Sequence, residues 1–153
     1  MTYIALIPAE NMLSLAIING PNLNLLGTRE TDIYGSQPFE EFYESLKQRF
    51  PQVHFSFFQS NVEGALIDYL QECRHAQQGI ILNAAGYSHT SIAIGDAIAA
   101  IPVPVIEVHI SNVLAREDYR KTSFIAAKCK GSISGLGLEG YALAVQYFLS
   151  TLR

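Results

Sequence analysis

The sequence predicts an α/β fold: a parallel sheet covered by helices on both faces. Three observations carry this. Strand-length apolar runs alternate with helical segments five times along the chain. The first run, Leu13–Asn19, is rich in isoleucine and nearly unbroken, as in a strand buried on both faces. Nearly all the suggestive polar residues fall in three loops, NGPNLNLLGTRETDIYG, NAAGYSHTS and EVHISN, each directly after or at the end of an apolar run. With five strands and right-handed crossovers, the flavodoxin-like order 2-1-3-4-5 follows, a three-layer sandwich. Strands 1 and 3 then lie side by side with loops leaving in opposite directions, and ligands bind in the crevice at such a switch point.

Each element has its own signal. After the first strand comes a long connection from Asn19 to Gly35, in a position where about two to six residues are usual. Its Leu23, Leu25, Leu26 and Ile33 call for burial, and its amides, Arg29 and Tyr34 for function. Ser36 is expected to cap a helix with Pro38 in its first turn. Phe39, Phe42, Tyr43, Leu46 and Phe50 recur there at helical spacing until Pro51 stops it. Val53, Phe55 and Phe57 alternate in strand 2. Asn61 is expected to cap the next helix, with Leu66, Ile67, Leu70 and Cys73 inward. Gly79 opens strand 3, which ends at Asn83. A helix from about Thr90 to Ala100 follows, then strand 4, Val103–His109, with Pro102 and Pro104 at its unpaired start. Asn112–Glu117 reads as a short helix, Gly131–Ser134 as a fifth strand. Leu138–Leu152 closes as a helix, with Tyr141, Val145, Phe148, Leu149 and Leu152 inward.

At 153 residues the chain suits one domain, 13–153, preceded by an extension at 1–12. That extension lacks the basic start and long apolar core of a secretory signal, and no apolar stretch is long enough for a membrane helix, so a cytoplasmic protein is expected. Charged residues are only 16% against about 25% in typical soluble domains, which suggests surface covered by further subunits, a homo-oligomer. A net charge of −4 without any Lys/Arg-rich run argues against nucleic acid. Cys73 and Cys129 fit no metal or redox spacing and read as reduced core fillers.

Glu107 and His109, two apart on strand 4, point to one side of the sheet. A carboxylate beside an imidazole orients it and suits it to acid–base work at the switch point. His89, at a helix start with Ser88, Thr90 and Ser91, and Ser111 with the amides after His109, suit an anionic substrate. His89, His109 and Glu107 have the donor types of a zinc site, but the spacing is not that of a metal motif, so no metal is expected. GLGLEG, Gly135 to Gly140, matches the dinucleotide fingerprint. The further strand and acidic residue that the fingerprint needs are missing, and its glycines are read as permitting close helix packing. A phosphoryl-receiver reading fails because strands 1 and 3 end in Asn19 and Asn83 rather than in acids.

NGPNLNLLGTRETDIYG, FFQSNVEGALIDYL, NAAGYSHTSIAIGDAI and EVHISNVLAREDYR closely resemble type II 3-dehydroquinate dehydratase, from about Leu13 to the C-terminus. The resemblance implies a cofactor-free, metal-free dehydration of 3-dehydroquinate to 3-dehydroshikimate in the shikimate pathway, and trimers assembled four to a dodecamer. It implies Tyr34 as general base with Arg29 as partner, and Asn22 as holder of an enolate-stabilising water. His109 corresponds to the general acid, oriented by Glu107. Asn83, His89, Arg120 and the Ile110–Ser111 segment correspond to substrate contacts. Asp96 matches a residue that reaches a neighbouring subunit's site, and Arg116 a second arginine near the lid. Thr31, Val62 and Gly95 depart from the family pattern of proline, histidine and arginine. The chemistry is consistent from below. A proton alpha to a ketone leaves an enolate, and a phenol, whose ordinary pKa is about 10, needs a nearby guanidinium to remove it near neutrality. Tyr87 is a rival phenol with no arginine nearby in sequence. A flavodoxin-like module binding flavin mononucleotide is the non-enzyme alternative. A lysine Schiff base is the mechanistic one, and Lys47, Lys121, Lys128 and Lys130 all lie outside the three loops.

Overall fold

The computed structural model describes residues 12–152; apart from Met12, the extension expected at 1–12 lies outside the described residues. Five parallel strands, β1 (Leu13–Asn19), β2 (Val53–Gln59), β3 (Gly79–Asn83), β4 (Val105–His109) and β5 (Gly131–Ser134), form one sheet in the order β2-β1-β3-β4-β5. The helices are α1 (Thr31–Tyr34), α2 (Phe39–Arg49), α3 (Glu63–Ala76), α4 (Ile92–Ala99) and α5 (Glu139–Thr151).

Side-chain alternation along β1 builds two cores. Leu13, Leu15 and Ile17 face α2 and α5, packing with Phe39, Phe42, Leu46, Tyr141, Val145 and Phe148. Ala16 and Ile18 face α3 and α4, packing with Leu66, Leu70, Cys73, Ile94 and Ile98. Burying each such aliphatic or aromatic side chain contributes about 1.5–3 kcal/mol. Aromatic contacts add to the first core, with Phe39 stacked on Phe57 at 4.9 Å and edge-on to Tyr141 at 5.2 Å.

The switch point depends on one glycine. Gly20 donates its N–H to the Asn83 carbonyl at 2.7 Å, and a Cβ on Gly20 would sit 2.5 Å from the Ala84 carbonyl oxygen. Only glycine lets the two chain exits lie this close. The close packing expected of the 135–140 glycines holds at Gly140, whose Cβ would touch Val108 and Ile133 at 3.3 and 3.4 Å, while Gly135 and Gly137 supply positive φ.

Several local expectations are corrected. Ser36 does not cap α2; Pro38 occupies the cap position, where its fixed φ of −61° suits the chain's entry. Asn61 does not cap α3; its side chain instead accepts the Asn22 N–H, and Val62 stands at the cap. Helix α4 starts at Ile92, because Ser91 takes the cap by accepting the Ile94 N–H, and Ala85–His89 forms a separate 3₁₀ turn. β4 starts at Val105, after the two prolines that lack a ladder N–H. The helix expected at Asn112–Glu117 is a single 3₁₀ turn, Val113–Ala115, and a second one, Asp118–Lys121, follows it. Leu23 and Leu26 are buried as expected, but Leu25 and Ile33 are 47% and 41% exposed.

Candidate active site

The carboxyl ends of β1, β3 and β4 open into one cleft of about 120 Å³, lined by residues of the three loops. The β1 loop gives Asn22, Arg29 and Tyr34; the β3 loop Asn83 and His89; the segment from β4 His109, Ile110, Ser111, Arg116 and Arg120. Glu107 lies beneath His109. Asp96 is exposed on α4 and does not reach its own chain's cleft. Tyr87 does not line the cleft either; its hydroxyl donates to the Asn61 carbonyl.

Tyr34 ends the single turn of α1, where the chain enters through Glu30 at φ +40°. Two guanidiniums flank its ring, with Arg29 Cζ 5.3 Å and Arg116 Cζ 5.4 Å from the centroid. The phenol oxygen is bonded by Arg116, whose Nη1 donates to it at 2.7 Å and to Ser111 Oγ at 3.2 Å. Arg29 pairs instead with Glu30, and this bond, aided by the charges of Arg116 and Arg120, holds the exposed Glu30 carboxyl below its usual range. The site thus concentrates positive charge around one phenol.

β4 carries the other chemical group. Glu107, 1% exposed, faces the same side as His109 and accepts from His109 Nε2 at 2.8 Å. Burial pushes its carboxyl up, but the hydrogen bonds from His109, Ser132 and Ser123 outweigh this and hold it below the usual range. Ser132 Oγ donates to Oε2 at 2.5 Å and Ser123 Oγ to Oε1 at 2.8 Å. An ionised carboxylate only accepts, so His109 carries a proton on Nε2 and its Nδ1 is the nitrogen left for chemistry. The His89 ring stacks on His109 with centroids 5.8 Å apart. His89 Nδ1 faces the Thr122 carbonyl at 2.8 Å and donates to it, leaving Nε2 free of that bond.

Asn22 stands at φ +69°, and its N–H is held by Asn61 Oδ1 at 3.0 Å. Asn83 lies at the end of β3, 3% exposed, and its Oδ1 accepts the Ala85 N–H at 3.1 Å. Ser123, Ser132, Asn61 and Glu30 were not legible as parts of the site. Register alone could have found Ser132, since β5 places it directly beside Glu107. Among the described residues, His, Cys, Asp and Glu never gather in a group of three able to hold a metal ion. None of the four lysines lines the cleft. Phenol, imidazole and convergent cations together can take a proton from a carbon acid and return one to a leaving group.

Comparison with known proteins agrees with this geometry. The family described as Dehydroquinase class II matches residues 13–149. The 3-dehydroquinate dehydratase of Campylobacter jejuni subsp. jejuni is 53% identical over 135 residues, 87% of this chain and 85% of that protein. The crystal structure of type II dehydroquinase from Butyrivibrio crossotus superposes with a TM-score of 0.88 at 40% identity, covering 90% of this chain and 98% of the other. That from Propionibacterium acnes gives 0.86 at 34%, covering 91% and 99%.

Proposed function

The chain belongs to the dehydroquinase class II family, and on that premise we infer that it removes water from 3-dehydroquinate to give 3-dehydroshikimate, a step of the shikimate pathway towards chorismate and the aromatic amino acids. The observation that carries the mechanism is the pairing, in one cleft, of a phenol bonded by a guanidinium with an imidazole backed by a buried carboxylate. Tyr34, as phenolate, takes the proton alpha to the ketone. The electron pair moves into the enolate, whose oxygen is held by a water on Asn22. The enolate then collapses and expels the hydroxyl at the beta carbon, with His109 supplying the proton that makes it water. Glu107 fixes the imidazole's orientation and balances its charge. Arg116 and Arg29 favour the phenolate, and Asn83, His89, Ser111, Ile110 and Arg120 hold the substrate's hydroxyls and carboxylate. No protein-bound intermediate is needed, and elimination is anti. A cleft of about 120 Å³ suits a single carbocyclic ring better than flavin mononucleotide.

The assembly follows the same reading: trimers, four to a dodecamer, in the cytoplasm. Ile92 and Asp96, one turn apart on α4, are both exposed, and Ile92 is 62% accessible, as a covered subunit face requires. Among the described residues no helix is long and apolar enough to cross a membrane. Added 3-dehydroquinate should raise absorbance in the enone band of 3-dehydroshikimate. Borohydride added with substrate should leave activity intact and add no mass, and a substrate adduct on any lysine would refute the enolate route. Sedimentation should show a large closed oligomer; a fully active monomer would refute the role of Asp96.

A further inference from the structure

Behind the cleft lies a buried polar chain that acid–base chemistry does not use. Tyr141, on α5, is fully buried, as is Asn19 at the end of β1. The Tyr141 hydroxyl donates to Asn19 Oδ1 at 2.7 Å and accepts from Asn83 Nδ2 at 3.0 Å. The orientation of Asn83 follows step by step. The Ala85 N–H can only donate, so the atom facing it is Asn83 Oδ1. The atom facing Tyr141 is then Nδ2, so the hydroxyl must accept there and spend its own hydrogen on Asn19. Burial pushes the Tyr141 phenol up and keeps that hydrogen in place. Asn83 Nδ2 carries two hydrogens, and Tyr141 takes one.

Stability does not account for this arrangement. Asn19 Nδ2 is buried without a hydrogen-bond partner among the described residues, and a partly satisfied polar network is less favourable than apolar packing at the same place. Phenylalanine at position 141 would fill the same aromatic cluster with Phe39 and Phe42. What the hydroxyl adds is the setting of an amide at the cleft wall.

We propose that Tyr141 is a positioning residue that locks Asn83 with an N–H facing the cleft, so that this point of the site selects a hydrogen-bond acceptor on the substrate. Without the hydroxyl, the amide loses its anchor on the helix side. It is then held only through Ala85, which itself stands at φ +52°. The inference rests on the substrate-binding part of the functional reading above.

The test is steady-state kinetics on the full chain with 3-dehydroquinate, for Tyr141→Phe, Asn83→Ala and the double variant. Tyr141→Phe should raise KM about tenfold, the net contribution of one hydrogen bond, with kcat within about twofold. The double variant should have the KM of Asn83→Ala, because an amide that is gone cannot be misplaced. Phe148→Leu, on the same helix and remote from the asparagines, should lower the melting temperature and leave KM unmoved. If Tyr141→Phe does not fold, 4-fluorophenylalanine at position 141 fills the hydroxyl's space, accepts only weakly from Asn83 Nδ2 and donates nothing to Asn19, and should give the same KM rise. An unchanged KM, or KM effects that multiply in the double variant, would overturn the proposal. A wild-type chain inert towards 3-dehydroquinate would overturn the functional reading instead, and the proposal with it.

Discussion

Replacing Arg116 by glutamine should separate the two arginines that flank Tyr34. Arg116 Nη1 stands 2.7 Å from the phenol oxygen, and its side chain is only 12% exposed. A unit charge about 4 Å from a phenolate contributes about 4 kcal/mol at an effective dielectric near 20. Water entering beside the shorter glutamine, and Arg29 over the ring, return part of this. A net loss of about 2–3 kcal/mol remains, roughly a 30- to 150-fold fall in kcat. KM should change little, because the guanidinium acts on the base rather than on the bound substrate. Arg29→Gln should cost less, about tenfold or under. Its guanidinium is more exposed at 35%, is paired with Glu30, and faces the ring rather than the oxygen. The rate of enone formation at saturating substrate measures both. A larger loss from Arg29→Gln than from Arg116→Gln would refute the reasoning, and would mean that the two guanidiniums exchange roles when the loop closes on substrate.

Three further outcomes are expected. Tyr34→Phe should remove nearly all turnover while substrate still binds, as isothermal titration would show; retention of more than a few per cent would move the base elsewhere. His109→Ala should lose turnover severely and Glu107→Gln less, since Glu107 orients rather than transfers; equal, unchanged rates would remove β4 from the chemistry. Because the Glu107 carboxyl is held below its unfolded value of 4.5, the stability it adds is fully present above that pH and is lost as pH falls through the folded value. The wild-type melting temperature should therefore fall more steeply below about pH 4.5 than that of Glu107→Gln, and parallel curves would contradict this.

What the sequence made legible was mostly periodic or local. Strand alternation placed Glu107 and His109 on one side, and the alternation of elements gave the strand order and so the convergence of three loops. Long-range side-chain pairings were not legible. The resemblance names Arg29 as the partner of Tyr34 and Arg116 as a second arginine near the lid, but which of them bonds the phenol oxygen is set by the fold: Arg116, brought in from the β4–β5 connection, makes that bond. Ser132 reaches Glu107 through strand register, and Tyr141 reaches Asn83 through packing of the last helix on the sheet, neither of which leaves a pattern in adjacent residues. Asn61 illustrates an opposite failure. Its type and position match a helix cap, but the Asn22 N–H competes for the same oxygen and wins it. Ile33 is exposed because α1 is one turn long and buries no residue, and Leu25 because it ends a 3₁₀ turn that buries only Leu23.

The connection from β4 to β5 differs from the other three crossovers in having 3₁₀ turns, Val113–Ala115, Asp118–Lys121 and Ala126–Lys128, where they have an α-helix. Turns of three or four residues do not persist alone in water, since each fixes several dihedrals for one or two bonds. What holds this stretch is tertiary: Ile125 enters the core, and Glu107 and His89 bind Ser123 and Thr122. The same stretch carries Arg116 and Arg120. On dilution from denaturant, helical circular dichroism should therefore recover first and the capacity to turn over substrate should lag behind it. The sheet and its helices are thus expected as the early product of folding, and the active site as the late one.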